Sequence, residues 1–214
     1  MGHKIDMDLA GKKVCLVLCC KRPYYVERRR RYAGQYNAVE EKGFTTIFLY
    51  GEGGRRELVV EEGEWRLYVP VEDLYKNLSR KMSLAYEYLL AAGITGVLKV
   101  DDDVQIRDPG ILDGPLLESD YSGAEQFAAK GGYEYPLKTT SYMWMLDVDV
   151  TYFTGPFYWL SAKGMAQVLR VGPKYPLEDL NTGHAISLDP SLKVYSAPIK
   201  NRGVIWYDEH EHDV

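Results

Sequence analysis

The chain has 214 residues, 46% hydrophobic and 27% charged, with a formal net charge of -5, which is the composition of a globular protein long enough to bury a substantial core. The acidic balance argues against a nucleic-acid protein held by a broad basic face, although it leaves room for a local positive pocket. The longest apolar run near the N-terminus, Val14 to Cys20, is about a third of a membrane span and is followed by charges rather than by a small-residue cleavage site, so neither a membrane span nor a signal peptide is expected.

Lys13 to Cys19 predicts a central buried parallel strand, ending in the loop Lys21-Arg22-Pro23. Cys15, Cys19 and Cys20 are all the cysteines. Odd in number and crowded into one strand, they argue against a disulfide framework and for a reducing cytoplasm. They do not make a zinc site either, because successive side chains on a strand face opposite ways. The basic segment Glu27 to Arg31 opens a helix expected to run to Lys42 and stop at Gly43. Phe44 to Tyr50 is then a second strand, closed by Gly51-Glu52-Gly53-Gly54, and the beginning is a βαβ unit. Trp65 to Val69 predicts a short strand. Ser79 is expected to cap a helix whose Met82, Ala85, Tyr86, Leu89 and Leu90 keep the helical period until Gly93.

Val97 to Val100 predicts a third buried strand, which delivers Asp101, Asp102 and Asp103 to its carboxyl end. Ligands of open α/β sheets gather at that edge. Adjacent carboxylates repel one another, and a divalent cation taking hard oxygen ligands would relieve the repulsion. If the strand persists through the acids, Asp101 and Asp103 share a face about 6–7 Å apart while Asp102 points away. A turn or a helix cap is the plainer reading of the same cluster.

In the second half aromatics and prolines multiply, among them Tyr121, Tyr133, Tyr135, Tyr142, Trp144, Tyr152 and Phe153, the pattern of short strands and loops over a cleft. Ser161 to Val171 predicts a helix and Gly172 to Pro176 a loop. Leu177-Glu178-Asp179-Leu180 starts another helix, and Lys193 to Pro198 is a last short strand. The tail from Trp206 is acidic and carries His210 and His212. No repeat, low-complexity tract or linker divides the chain, so a single domain over 1-214 is expected.

Four blocks stand in a telling order: Tyr75-Lys76-Asn77-Leu78-Ser79-Arg80-Lys81, Leu98-Lys99-Val100-Asp101-Asp102-Asp103-Val104, Gly155-Pro156-Phe157-Tyr158-Trp159-Leu160-Ser161 and Leu177-Glu178-Asp179-Leu180-Asn181-Thr182-Gly183. Over roughly residues 71 to 187 the chain resembles the β-1,3-galactosyltransferase-like (Fringe-type) glycosyltransferases. Arg28 to Gln35 resembles that family's arginine-rich segment only loosely and lacks its tryptophan. The resemblance implies an α/β GT-A (nucleotide-diphospho-sugar transferase) fold, with a Rossmann-like, mostly parallel central sheet flanked by helices. It implies a nucleotide-binding half over about 10-105 and an acceptor half over about 106-214. A manganese (or magnesium) ion, a UDP-sugar donor, a glycan or glycoprotein acceptor and inversion at the anomeric carbon are implied with it.

Under that resemblance Asp103 is the direct metal ligand, and Asp101 reaches the ion through water or holds the donor's ribose or sugar. Asp102 accepts local hydrogen bonds, and His210, with His212 second, completes the metal site. Asp179 is the general base for the acceptor hydroxyl. Its place in a first helical turn is expected to lower its pKa and keep it ionised. Gly155 lets backbone approach the donor sugar, and Arg28, Arg31 and Lys81 contact pyrophosphate or uracil. Plainer readings stand beside these: a helix-start acid pair at Glu178 and Asp179, a turn glycine, a solvated helix face and a solvated tail. Secretory-pathway members of the family usually carry an anchor and several disulfide-bonding cysteines. Without either, the chain reads as a cytoplasmic catalytic domain, as in a microbial or large-virus enzyme, or as a domain cut from a longer protein. The rivals are a retaining transferase of the same fold, a metal-dependent nucleotidyltransferase or nuclease, and a catalytically silent nucleotide-sugar-binding module.

Overall fold

The computed structural model describes residues 8–21, 23–123, 126–136, 143–197 and 205–207. Strand β1 (Lys13–Leu18) leads through helices α1 (Pro23–Arg31) and α2 (Gly34–Glu41) to β2 (Phe44–Gly51) and the hairpin β3 (Glu57–Glu61) and β4 (Glu64–Val69). Helix α3 (Leu78–Ala91) precedes β5 (Gly96–Asp101) and β6 (Val104–Ile106). The short α4 (Pro115–Glu118) is followed by β7 (Tyr121–Gly123), β8 (Gln126–Ala129), β9 (Glu134–Pro136), β10 (Met143–Met145), β11 (Val150–Phe153) and β12 (Phe157–Ser161). Helices α5 (Ala162–Val171) and α6 (Glu178–Ser187) and strands β13 (Val194–Ser196) and β14 (Ile205–Tyr207) complete the order.

Eight strands make one sheet in the order β13-β7-β12-β5-β1-β2-β4-β3. The three apolar runs read from sequence form its parallel centre: Leu16 of β1 is in register with Ile47 of β2 on one side and Lys99 of β5 on the other. β4 is parallel to β2 and β13 to β7, while β12 is antiparallel to β5 and to β7 and β3 is antiparallel to β4, so the sheet keeps a parallel majority and is mixed towards its edges.

Strand alternation sorts the core into two layers. Val14, Leu16, Leu18, Ile47 and Leu49 pack with Met82, Ala85, Tyr86 and Leu89 of α3, Met165 and Val168 of α5, and Ala185 and Ile186 of α6. Cys15, Val17, Phe48, Tyr50, Leu98 and Val100 face the other way, against Tyr36 and Val39 of α2 and Trp159. Cys15 and Cys19 are buried free thiols in this second layer, the core role read for them. Among the described residues no helix is long and apolar enough to cross a membrane.

Three local expectations change. The helix expected from Glu27 to Lys42 begins earlier, with Pro23 at its first position, and is broken between Arg31 and Gly34. Ser79 does not cap α3; a 3-10 turn over Tyr75–Asn77 precedes that helix and Asn77 takes the cap position. The Ser79 hydroxyl instead donates to Tyr175 O at 2.7 Å and accepts from Asn181 at 2.6 Å, tying α3 to α6. The strand expected at Trp65 to Val69 gains a partner, β3, through a two-residue turn in which Glu62 (φ 54) and Gly63 (φ 81) both lie in the left-handed region, the geometry that suits a tight hairpin. At α5 the sequence reading holds: Ser161 accepts from Gly164 N at 3.1 Å and Gly172 (φ 77) ends the helix.

Helix α6 lies so close on β11 that a Cβ at Gly183 would stand 2.4 Å from Tyr152 Cβ and 2.6 Å from Thr151 O. Gly183→Ala gains about 1 kcal/mol of helix propensity and loses more, because main-chain atoms cannot swing aside. A net destabilisation of about 1–2 kcal/mol is expected, read as a lower urea midpoint.

Candidate active site

The carboxyl end of β5 is reached by one face of that strand, on which Val97, Lys99 and Asp101 alternate with the buried Leu98 and Val100. Lys99 is 0% exposed. Its ammonium donates to the Asp101 carboxylate, to Gly155 O and, at 3.0 Å, to Glu178 Oε1. All three of its N–H groups are thus engaged by three different segments. The neighbouring carboxylates hold the Lys99 pKa up against the effect of burial.

Antiparallel β12 starts beside the end of β5, where Asp101 N–H donates to Pro156 O at 3.0 Å. The turn at Gly155 therefore sits over the acid. Gly155 N–H donates to Asp179 Oδ2 at 2.9 Å, and Asp179 Oδ1 accepts from Leu180 N at 2.7 Å. A Cβ at Gly155 would come within 2.8 Å of Glu178 Oε1 and 3.3 Å of Asp179 Oδ2. The glycine is what lets the first turn of α6 close on the turn before β12.

The expected lowering of the Asp179 pKa does not occur. Burial, and after it the charge of Glu178, outweigh the hydrogen bonds from Leu180 and Gly155 and push it up to about 7. Asp101, whose side chain keeps 27% exposure, is likewise pushed upward by burial and by Asp103 and Glu178 against the pull of Lys99. Tyr75, in the turn before α3, belongs to the same electrostatic neighbourhood. Burial and then Glu178, Asp179 and Asp101 raise its hydroxyl to about 12, while 40% of the residue stays exposed.

The strand does not persist through the acids. β5 ends at Asp101, and Asp102 and Asp103 form the turn into β6, so the expected alternation of Asp101 and Asp103 on one strand face is replaced by turn geometry. Asp102 turns back over the tip of β1: its N–H donates to Leu18 O at 3.2 Å and its Oδ2 accepts from Cys20 N at 2.9 Å. Burial raises its pKa to about 7. Asp103 is half-buried in the turn.

Lys81 also reaches this edge, 1% exposed, but its ammonium is engaged with Cys19 O at 2.7 Å and Asp73 Oδ1 at 2.6 Å. It organises the end of β1. Arg28 is buried on α1 over the Tyr24 ring, 4.3 Å from its centroid. Arg31 is exposed and pairs with Glu27 at 3.4 Å, the solvated helix face that was the plainer reading. His184 is a buried residue edge-on to Tyr175. His210 and His212 lie outside the described residues. Among those described, no group of three or more His, Cys, Asp or Glu side chains is arranged to hold a metal ion.

The structure thus brings Asp101, Gly155 and Asp179 together, sets Asp102 and Lys81 on the β1 side of the same edge, and leaves Arg31 away from it. Sequence reasoning missed Lys99 as a site residue, although a lysine inside an otherwise apolar central strand was a visible anomaly. It also missed Tyr75 and Asp73, which only the packing of the turns before α3 brings to this edge.

No family model and no curated protein matches the chain. Among solved structures it is similar to a mutant of Drosophila β1,4-galactosyltransferase 7 in complex with manganese, UDP-Gal and xylobiose, with a TM-score of 0.53 and 11% identity over 94% of this chain and 71% of that one. It is similar also to the catalytic domain of Drosophila β1,4-galactosyltransferase 7 in complex with xylobiose, with a TM-score of 0.52 and 12% identity over 94% of this chain and 76% of that one. At such identity the likeness shows the fold alone and does not single out the Fringe-type family. The fold is GT-A-like, a central mixed sheet flanked by helices.

Proposed function

We propose that this protein is a metal-dependent glycosyltransferase that moves a hexose from a UDP-sugar to a hydroxyl of a glycan or glycoprotein, with inversion and with Asp179 as general base. The observation that carries the reading is the meeting of Asp179 with the acid-bearing tip of β5 through Gly155 and Lys99 in a GT-A-like fold. In this reading one domain spans the chain, the part over about 10-105 holding the nucleotide and the remainder the acceptor.

A base must be unprotonated in the resting enzyme and still basic enough to take a hydroxyl proton, which favours a pKa near the working pH. Asp179, pushed up to about 7, meets that requirement better than an ordinary surface carboxylate. Two backbone N–H groups fix both its oxygens in place, so an acceptor hydroxyl meets an oriented carboxylate. The base takes the hydroxyl proton as that oxygen attacks the anomeric carbon from the side opposite the leaving UDP. Asp103 and Asp101 would supply the hard oxygen donors that manganese or magnesium prefers, with His210 as a further donor. When bound, such an ion neutralises charge on the leaving diphosphate.

Asp179→Asn keeps the shape and removes the base: transfer should fall by about 10²–10⁴-fold while calorimetry finds UDP-sugar affinity nearly unchanged. Undiminished turnover would remove Asp179 from the role. Asp103→Ala should instead weaken manganese-dependent UDP binding by tenfold or more, about 1.4 kcal/mol or above. In the parent enzyme, kcat should rise with pH through about 7, as Asp179 loses its proton, and level off above. A pH profile flat from about 5 to 8 would contradict that titration.

A further inference from the structure

Lys99 and Glu178 are buried charged groups that the proposed reaction leaves without a task. Lys99 is shut off from solvent and cannot touch a substrate. A buried ion pair is also weak support for mere stability, since well-packed apolar residues usually serve as well. What distinguishes this pair is where its bonds go. The three acceptors of Lys99 lie on β5 (Asp101), on the turn before β12 (Gly155 O) and on α6 (Glu178). Gly155 is then gripped from both ends, its carbonyl by Lys99 and its N–H by Asp179 Oδ2.

We propose that Lys99 and Glu178 are positioning residues that lock the turn at Gly155 to the tip of β5 and so fix the angle at which the Asp179 carboxylate is presented. The inference rests on the reading of Asp179 as the general base. With all three ammonium hydrogens committed, the Lys99 head group cannot rotate without losing a bond. A displacement of the turn by about 1 Å would misalign the base by enough to cost about 100-fold in rate. The lock also joins the acid of β5, on the donor side, to the base of α6, on the acceptor side.

The test compares Glu178→Gln with the double variant Lys99→Met/Glu178→Gln, which removes one charge of each sign and leaves the sum of buried charge unchanged. Turnover and the hydrogen exchange of the Gly155 amide are both measured. In the double variant kcat should fall by about 100-fold with donor KM within about threefold, and the Gly155 amide should exchange at least about 30-fold faster while Val100 keeps its protection. In Glu178→Gln, where a neutral acceptor replaces a charged one, kcat should fall by about tenfold and Gly155 should exchange at least about threefold faster. Parent-like kcat and Gly155 exchange in either folded variant overturn the lock, and should the double variant fail to fold, the single one decides. A parent protein that turns over no nucleotide-sugar overturns the transferase reading, whereas Gly155 exchange still decides the lock.

Discussion

The Lys99 ammonium is the interaction on which the candidate site depends. A charge of this kind costs several kcal/mol to remove from water, and it persists in a folded core only when its hydrogen bonds are all satisfied. Asp101, Gly155 and Glu178 satisfy them, and in doing so they converge from a strand, a turn and a helix. Remove the ammonium and three carboxylates at Asp101, Glu178 and Asp179 would face one another with no cation between them. Its charge is therefore what allows α6 to bring two acids to the end of β5.

One cation faces three acids at this junction, and burial, with the like charge of neighbouring acids after it, raises the pKa of Asp179 and Asp101. An acid whose pKa is higher in the folded than in the unfolded chain binds its proton more tightly when folded. Asp179 accordingly withdraws stability as the pH rises from about 4 to about 7, the reverse of a salt-bridged carboxylate. Such a local cost is what a functional site carries against the remainder of the fold. A divalent ion brought in with a diphosphate would offset it, which couples the electrostatics of the folded chain to the proposed donor.

Much of the frame was legible in the residues. The continuous apolar runs of β1, β2 and β5 announce a buried parallel centre, and the period of Met82, Ala85, Tyr86 and Leu89 announces α3. Ser161 and Gly172 bound α5 by local hydrogen bonding and backbone freedom alone. Ser79 misleads because its partner is Tyr175, almost a hundred residues away, and no local rule sees such a bond. The pKa of Asp179 misleads for a related reason: the helix-end field is local, whereas the burial and the neighbouring charge that outweigh it come from packing. Arg28 to Arg31 look alike in sequence, yet the rotation of α1 buries Arg28 and Arg29 and exposes Arg31.

The direction of β12 explains why residues so far apart in the chain meet. A strand parallel to β5 would begin at the opposite edge of the sheet, about 17–20 Å away for a strand of ordinary length. Because β12 is antiparallel, Phe157 pairs with Val100 and the turn before it lands on the tip of β5. The backbone bond from Asp101 N–H to Pro156 O fastens that landing. Gly155 then stands next to Lys99, and the absence of a side chain lets Glu178 and Asp179 approach within hydrogen-bonding range. The acids of Asp101 to Asp103 come from a parallel βαβ edge and the candidate base from the aromatic second half, and one reversed strand joins them. The mixed sheet, which the sequence pattern did not disclose, is thus the geometric condition for the site.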